Sequence, residues 1–535
     1  MKQIFKIFST TITSFFALLL ICSCSHSQKQ NLDVGTGSLK VPHKGAVIAG
    51  DFPDPSVIRV ENVYWAATTT SHWAPAFNLL SSTDLVNWQF RGGVFTTLPA
   101  WTDGNYWAPE IAMMKNTFFV YYSAKNKKSQ RMCVGVATAN APEGPYEDHG
   151  PIVCDRLGSI DPAPIEDSNG KKYLAWKEDG NSQKKPTPIH IQRLSDSGTK
   201  LIGKRTTAIT NDTPWEANLV EGPYIKKHLG YWYLFYSGAG CCGSTCDYAL
   251  GVARAKSLDG PWEKNPQNPI LKSNADWKCP GHGSVVTNPL GQDVFLYHAY
   301  HVNDTIYVGR QAMVDAVDWN TSNWPTINNN NGPSSHIDGF LGAKLQNLEH
   351  DFFENFSAEN LTPGWQWPYD NKPKYVIDRS EKELVLSSDK ISGDPFSAVL
   401  ARETTSGNYS AIAEINLQKL SKASAGISAY GDENNALGLY VLNSKLHLQT
   451  KFSGALKELG SWDLASGEKL YLKLTAHDGH YFQFAFSADG QKWKDLGSPI
   501  DCAKMPPWDL GIRIALISNG RGEARFKSFK MIASE

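Results

Sequence analysis

The chain has 535 residues, several times a typical domain, with 41% hydrophobic and 20% charged residues and 17 Trp, 21 Tyr and 23 Phe; that is ample apolar surface for two or three cores and excludes a disordered chain. Lys and Arg number 52 against 53 Asp and Glu with no long run of one sign, so no nucleic-acid partner is expected. The 44 Gly and 29 Pro lie in a chain with little 3.6-residue periodicity, which predicts many short strands and an all-β fold.

In chain order, Lys2 and Lys6 precede an apolar run from Thr11 to Ile21, the pattern of an export signal too short to span a membrane comfortably. Leu20-Ile21-Cys22-Ser23-Cys24 resembles a bacterial lipobox. That implies a signal over 1–23, a lipid on Cys24 as the sole membrane contact, a tether over 24–44, and an outer-membrane lipoprotein facing the periplasm or the cell surface. Seven further cysteines follow: Cys133, Cys154, Cys241, Cys242, Cys246, Cys279 and Cys502. An odd number leaves one thiol unpaired unless another chain supplies its partner, and the sequence does not fix the pairing. The cluster from Cys241 to Cys246 has no Cys-x-x-Cys or His-x-x-x-His companion, so it reads as a disulfide-pinned or packed loop rather than a metal site.

Five aromatic strand runs start at Val63, Thr117, Lys172, Tyr231 and Asp293, separated by 54, 55, 59 and 62 residues. Each interval holds about four short strands with their turns, the signature of propeller blades, so five blades are predicted over 45–335. About ten residues ahead of each run stands a short motif: Asp54-Pro55-Ser56, Trp107-Ala108-Pro109-Glu110, Asp161-Pro162-Ala163, Glu221-Gly222-Pro223 and Gly281-His282-Gly283. A propeller's innermost strands begin beside the axis, so acids placed there in separate blades converge. Carboxylates gathered at one mouth push their pKa values apart, yielding an ionised base and a protonated acid, as glycoside hydrolysis requires.

At these motifs the chain resembles glycoside hydrolase family 43, whose members are five-bladed propellers that hydrolyse pentose-containing polysaccharides with inversion. The resemblance implies that Asp54 is the general base, Glu221 the general acid and Asp161 the group that sets the pKa and orientation of Glu221. Independently of the resemblance, proximity to Asp161 and partial burial are expected to keep Glu221 protonated near neutral pH. The resemblance further implies that Arg310 reaches toward substrate hydroxyls and the acids, and that Trp73 and Trp107 are substrate contacts, Trp73 by stacking on a sugar ring. Glu110 takes no proton-transfer role and is expected to form a blade-to-blade hydrogen bond. No cofactor is required; a structural calcium in the central channel, reached from His282 through water, is the one cation the resemblance admits.

Asn328 to Ser335 forms a low-complexity break. Beyond it, over 345–535, segments such as Lys445–Thr450 and Tyr471–Thr475 alternate with a period of two, which predicts half-buried antiparallel strands. The whole resembles the concanavalin-like, jelly-roll β-sandwich that follows the propeller in many family members, where it packs on the propeller and can lend a loop to the active-site rim. The function implied is an inverting exo-glycosidase releasing a terminal pentose from arabinose- or xylose-containing glycans. α-L-Arabinofuranose is the first expectation, β-D-xylose the second, and a non-catalytic surface glycan binder the reading of a different class. One or two pocket residues can reverse the choice of sugar.

Overall fold

The computed structural model describes residues 45–303, 305–319, 324–335, 351–388, 393–420 and 422–534. The expected signal, Cys24 and the tether lie outside them. The fold is almost entirely β, with one four-residue helix, Thr305–Val308, among the described residues.

Five antiparallel sheets of the expected kind come first, each holding one aromatic run as its second strand. They begin with Ser56–Val60, Trp107–Met114, Ser159–Glu166, Val220–His228 and Trp277–Thr287, and the strands of each sheet follow in sequence order from there outward. In the last sheet the N-terminal strand Ala46–Ile48 pairs with Gln311–Trp319, Ala46 opposite Met313, so the two ends of the propeller are stitched together by one ladder. The second strands do not alternate. Thr117–Lys125 and Tyr231–Gly238 are buried at nearly every position, because each is covered on both faces by neighbouring blades and must be apolar on both.

The sandwich is built from two antiparallel sheets, one centred on Tyr409–Asn416 and Ala524–Ala533, the other on Arg513–Gly520 and Ala423–Asp432. Lys445–Phe452 and Lys469–His477 alternate as expected, with leucines turned inward and lysines outward. Leu446, Leu448, Leu470, Leu472, Phe484 and Phe526 meet in one apolar core.

Propeller and sandwich are joined covalently, by a ladder and by ions. Trp367–Pro368 of the sandwich pairs with Trp73–Ala74 of the first blade. Nearby, the fully buried Arg513 donates to Glu403 at 3.1 Å and to Gln366 at 2.8 Å and lies 3.6 Å from Asp51 of the propeller. Gln366 in turn donates to Asn78 of the first blade at 3.0 Å.

Candidate active site

Each innermost strand is broken at the same place. Asp54, Ala108, Asp161, Gly222 and His282 have φ of 53°, 44°, 56°, 57° and 41°. In the last four blades the ladder register skips at that point. In four blades the next residue is Pro (Pro55, Pro109, Pro162, Pro223), which has no N–H to lose when the ladder breaks. In the fifth it is Gly283, where a Cβ would lie 1.9 Å from the Leu296 carbonyl oxygen. A positive φ outside glycine costs about 1–3 kcal/mol, and this strain turns the side chains of Asp54 and Asp161 toward the mouth.

The amide of each kinked residue is caught by the blade before it. Ala108 N–H donates to Thr69 Oγ1 at 2.7 Å, Asp161 N–H to Ser123 Oγ at 2.9 Å, Gly222 N–H to Asp161 Oδ2 at 2.9 Å, His282 N–H to Ser237 Oγ at 2.9 Å, and Asp54 N–H to His298 Nδ1 at 3.1 Å. These five bonds close a ring around the mouth and fix the acids relative to one another. The blade-to-blade bond expected of Glu110 is made instead by the neighbouring Ala108 amide. The Glu110 carboxyl has no hydrogen-bond partner among the described residues, and burial pushes it well above the usual carboxylate range.

The ring opens into a cavity of about 230 Å³ lined by Asp54, Asp161, Glu221, Arg310, Trp107 and His282, so positions far apart in sequence meet in one pocket. Asp54 is nearly buried. Thr69 Oγ1 donates to its Oδ2 at 2.7 Å, and Arg310 Nη1 donates to Oδ1 at 3.1 Å. His298 Nδ1 and His282 Nδ1 stand 3.2 and 3.4 Å from the same oxygen. Burial pushes this carboxyl up, but Arg310, with His282 adding to it, outweighs burial and holds Asp54 far below the usual range. It is ionised at any working pH. His298 is pushed down to about 4, by burial and by Arg310, and is neutral.

Glu221 differs from expectation. Lys177 Nζ donates to Glu221 Oε2 at 2.7 Å and Tyr248 Oη donates to Oε1 at 2.9 Å. Burial would raise Glu221, yet Lys177 lowers it on balance, opposite in direction to the expectation that Glu221 holds its proton. The raised group is Asp161, pushed up to about 6 by burial, with the charges of Glu221 and Asp54 adding to it and those of His282 and Lys177 opposing. Below about pH 6 the pair carries a proton centred on Asp161, and near neutral pH only a minority of molecules hold it.

Trp73 is not in this pocket. Its strand is consumed by the ladder to Trp367–Pro368, and its ring, 2% exposed, lies under the Arg513 guanidinium at 4.6 Å and edge-on to Tyr430 at 5.6 Å. Trp107 does line the pocket, its Nε1 donating to Ser71 Oγ at 3.0 Å and Asp509 Oδ2 at 3.2 Å. At His282 no group of three or more His, Cys, Asp or Glu is arranged to hold a metal among the described residues. Two imidazoles on one carboxylate that Arg310 already neutralises do not fit a hard cation.

A family model described as glycosyl hydrolases family 43 matches residues 44–325, more than half of the sequence. The chain belongs to that family. A second model, a β-xylosidase C-terminal concanavalin A-like domain, matches 354–529, and this family 43 chain is therefore a glycosidase with the two-domain plan. Xylosidase/arabinosidase 43B of Humicola insolens is 26% identical over 498 residues, 86% of this chain and 89% of that protein. The extracellular exo-α-(1→5)-L-arabinofuranosidase ArbA of Cellvibrio japonicus is 25% identical over 331 residues, 55% of this chain and 90% of that one. The crystal structure of the family 43 protein BlXynB from Bacillus licheniformis superimposes with a TM-score of 0.79 at 25% identity, over 93% of this chain and 100% of that one.

Several residues of this family 43 site carry no motif in the sequence. Lys177, Tyr248, His298 and Thr69 hold the acids, and the sandwich adds Trp508 and Asp509 to the pocket lining. Asp509 Oδ2 accepts from Ser71 at 2.7 Å, its backbone oxygen accepts from Arg310 Nη2 at 3.1 Å, and Gly511 N–H donates to Asp51 at 2.9 Å. The loop 508–511 thus clamps Arg310 and Trp107 from the far side. The Cys pairs are Cys133–Cys154, Cys241–Cys242 and Cys246–Cys279, with Cys502 free and buried.

Proposed function

We propose that the protein is an exo-acting, inverting glycosidase that removes terminal pentosyl residues, accepting both β-D-xylosides and α-L-arabinofuranosides. The observation that carries this reading is the pocket itself: three acids from three blades face a space suited to a single sugar ring, and Trp508 and Asp509 complete its wall, which favours a chain end over the middle of a polysaccharide. The two sugars present similar hydroxyls, and a relative that spans both domains bears both activities in its name.

In this reading Asp54, ionised and fixed by Thr69 and Arg310, takes a proton from the attacking water. Glu221 delivers a proton to the departing oxygen. Lys177 sits 3.0 Å from Asp179 as well as beside Glu221, so when a sugar displaces water the ammonium can rest on Asp179. Glu221 is then released to accept the proton held with Asp161. The chemistry runs on the protein's own side chains with no cofactor.

The test is release of para-nitrophenol from the β-D-xyloside, the α-L-arabinofuranoside and, as comparison, the β-D-galactofuranoside, with NMR of the first anomer formed. Turnover of both pentosides with inverted product supports the reading; inertness toward both, or retention, overturns it. Export with a lipid on Cys24 belongs to the same proposal, and Cys24→Ala is expected to move the chain from the membrane fraction to the soluble one.

A further inference from the structure

Cys241 and Cys242, adjacent in sequence, are bonded to each other. The bond closes a small ring through the peptide between them. A disulfide stabilises a fold chiefly by restricting the unfolded chain, and the effect grows with the loop it closes. Neighbouring residues close almost no loop, so this bond contributes little on that account, unlike Cys133–Cys154 with its separation of 21. Hydrolysis transfers no electrons, so the established chemistry does not use it either. What the bond does is fix the shape of two side chains, and those two side chains line the pocket with Asp54, Asp161 and Glu221.

Its position decides which part of a substrate it meets. The ring follows the strand Tyr231–Gly238, whose Ser237 stands opposite Glu221 in the ladder. It is therefore on the acid's own blade, at the side where the group protonated by Glu221 leaves. The loop carrying it is held stiffly: Cys246 is bonded to Cys279 of the fifth blade, Gly240 N–H donates to Asp247 Oδ1 at 2.7 Å, and Asp247 N–H donates to the Gly240 carbonyl at 3.1 Å. Two half-buried sulfurs on such a support present a rigid, polarizable, apolar surface.

We propose that the Cys241–Cys242 ring is a specificity element of the leaving-group subsite, a plate against which the apolar face of the departing sugar packs. This rests on the glycosidase reading above. It predicts a contact felt by a sugar leaving group and not by a small one.

The test compares wild type with Cys241→Ser/Cys242→Ser on xylobiose or arabinobiose, whichever is turned over, and on the matching glycosyl fluoride, whose leaving group has no ring. KM for the disaccharide is expected to rise about 5- to 10-fold, with kcat/KM on the fluoride kept within about twofold. Cys133→Ser/Cys154→Ser is the control, expected to lower the melting temperature with KM unchanged. Equal losses on both substrates would make the ring a scaffold, and no loss on either would make it a bystander; each overturns the proposal.

A second measurement needs neither a folded cysteine variant nor turnover. In Asp54→Asn protein, disaccharide is expected to slow reduction of Cys241–Cys242 by a phosphine, followed by alkylation and peptide mass, and to leave Cys133–Cys154 unaffected. Identical rates with and without sugar would refute the contact. Wild type inert toward fluoride and disaccharides alike would instead refute the glycosidase reading.

Discussion

Replacing Lys177 by Met tests the electrostatic account of the acid pair. The ammonium lies 2.7 Å from Glu221 and 3.0 Å from Asp179 and is buried. Two unit charges 4 Å apart interact by about 4 kcal/mol at an effective dielectric constant of about 20. Dividing by four for the share taken by Asp179 and for water in the open pocket leaves about 1 kcal/mol, or roughly 0.7 of a pH unit. The sign follows from the charge: lysine favours the ionised carboxylates, its loss favours the protonated pair, and turnover needs that proton. The alkaline limb of kcat/KM, which in wild type falls near the value of about 6 at Asp161, is therefore expected to move to higher pH by at least about half a unit in Lys177→Met. The acid limb does not move, since Asp54 titrates far below. The assay is kcat/KM on a disaccharide across about pH 4 to 9, with Lys177→Arg as a charge-preserving control and calorimetry to confirm folding. An alkaline limb that stays put, or moves to lower pH, refutes the reasoning.

Three further outcomes follow from the same geometry. Asp54→Asn keeps the side chain's shape and one acceptor oxygen for Arg310 but removes the base, and kcat is expected to fall by at least about 10²-fold with an unchanged circular dichroism spectrum. Asp509→Ala takes the acceptor from Ser71 Oγ, and with it the anchor of Trp107 Nε1, which keeps only Ser71 Oγ, while leaving the backbone bond to Arg310; with a buried donor costing about 1–3 kcal/mol when unpaired, KM is expected to rise about tenfold in initial-rate assays with a smaller change in kcat. Arg513→Met strands Asp51 and Glu403 between the domains, which costs about 3–5 kcal/mol. In calorimetry the deficit is expected to shrink as pH falls below about 7, the value to which burial pushes Glu403, because protonation then removes the uncompensated charge.

The acids were legible because what places them is local. A kink with positive φ followed by a residue without N–H is written as Asp54-Pro55, Asp161-Pro162 and Gly222-Pro223, and the repeat of the aromatic runs gives the blades that bring them together. The fate of Trp73 was not local. It is decided by a ladder to Trp367–Pro368, nearly three hundred residues later, and nothing within the first blade distinguishes a ring that meets sugar from one that meets another domain. Trp508 and Asp509 are hidden for the same reason.

Lys177 and His298 fall between these cases. In the ladders, the residue before each kink stands opposite Ser123, Lys177, Ser237 and His298 in the second to fifth blades. Ser123 and Ser237 each catch the amide of the next blade. A lysine cannot accept a hydrogen bond, so at Lys177 the amide of Gly222 passes to the Asp161 carboxylate, and the ammonium turns to Glu221. A histidine accepts through one nitrogen, so His298 catches the Asp54 amide and places its ring against the Asp54 carboxylate. The two departures from serine in this column are thus the two that touch the base and the acid. Such a column appears only when the blades are aligned on their second strands instead of their motifs, and that alignment needs the register, which the aromatic runs, buried on both faces and lacking alternation, do not reveal.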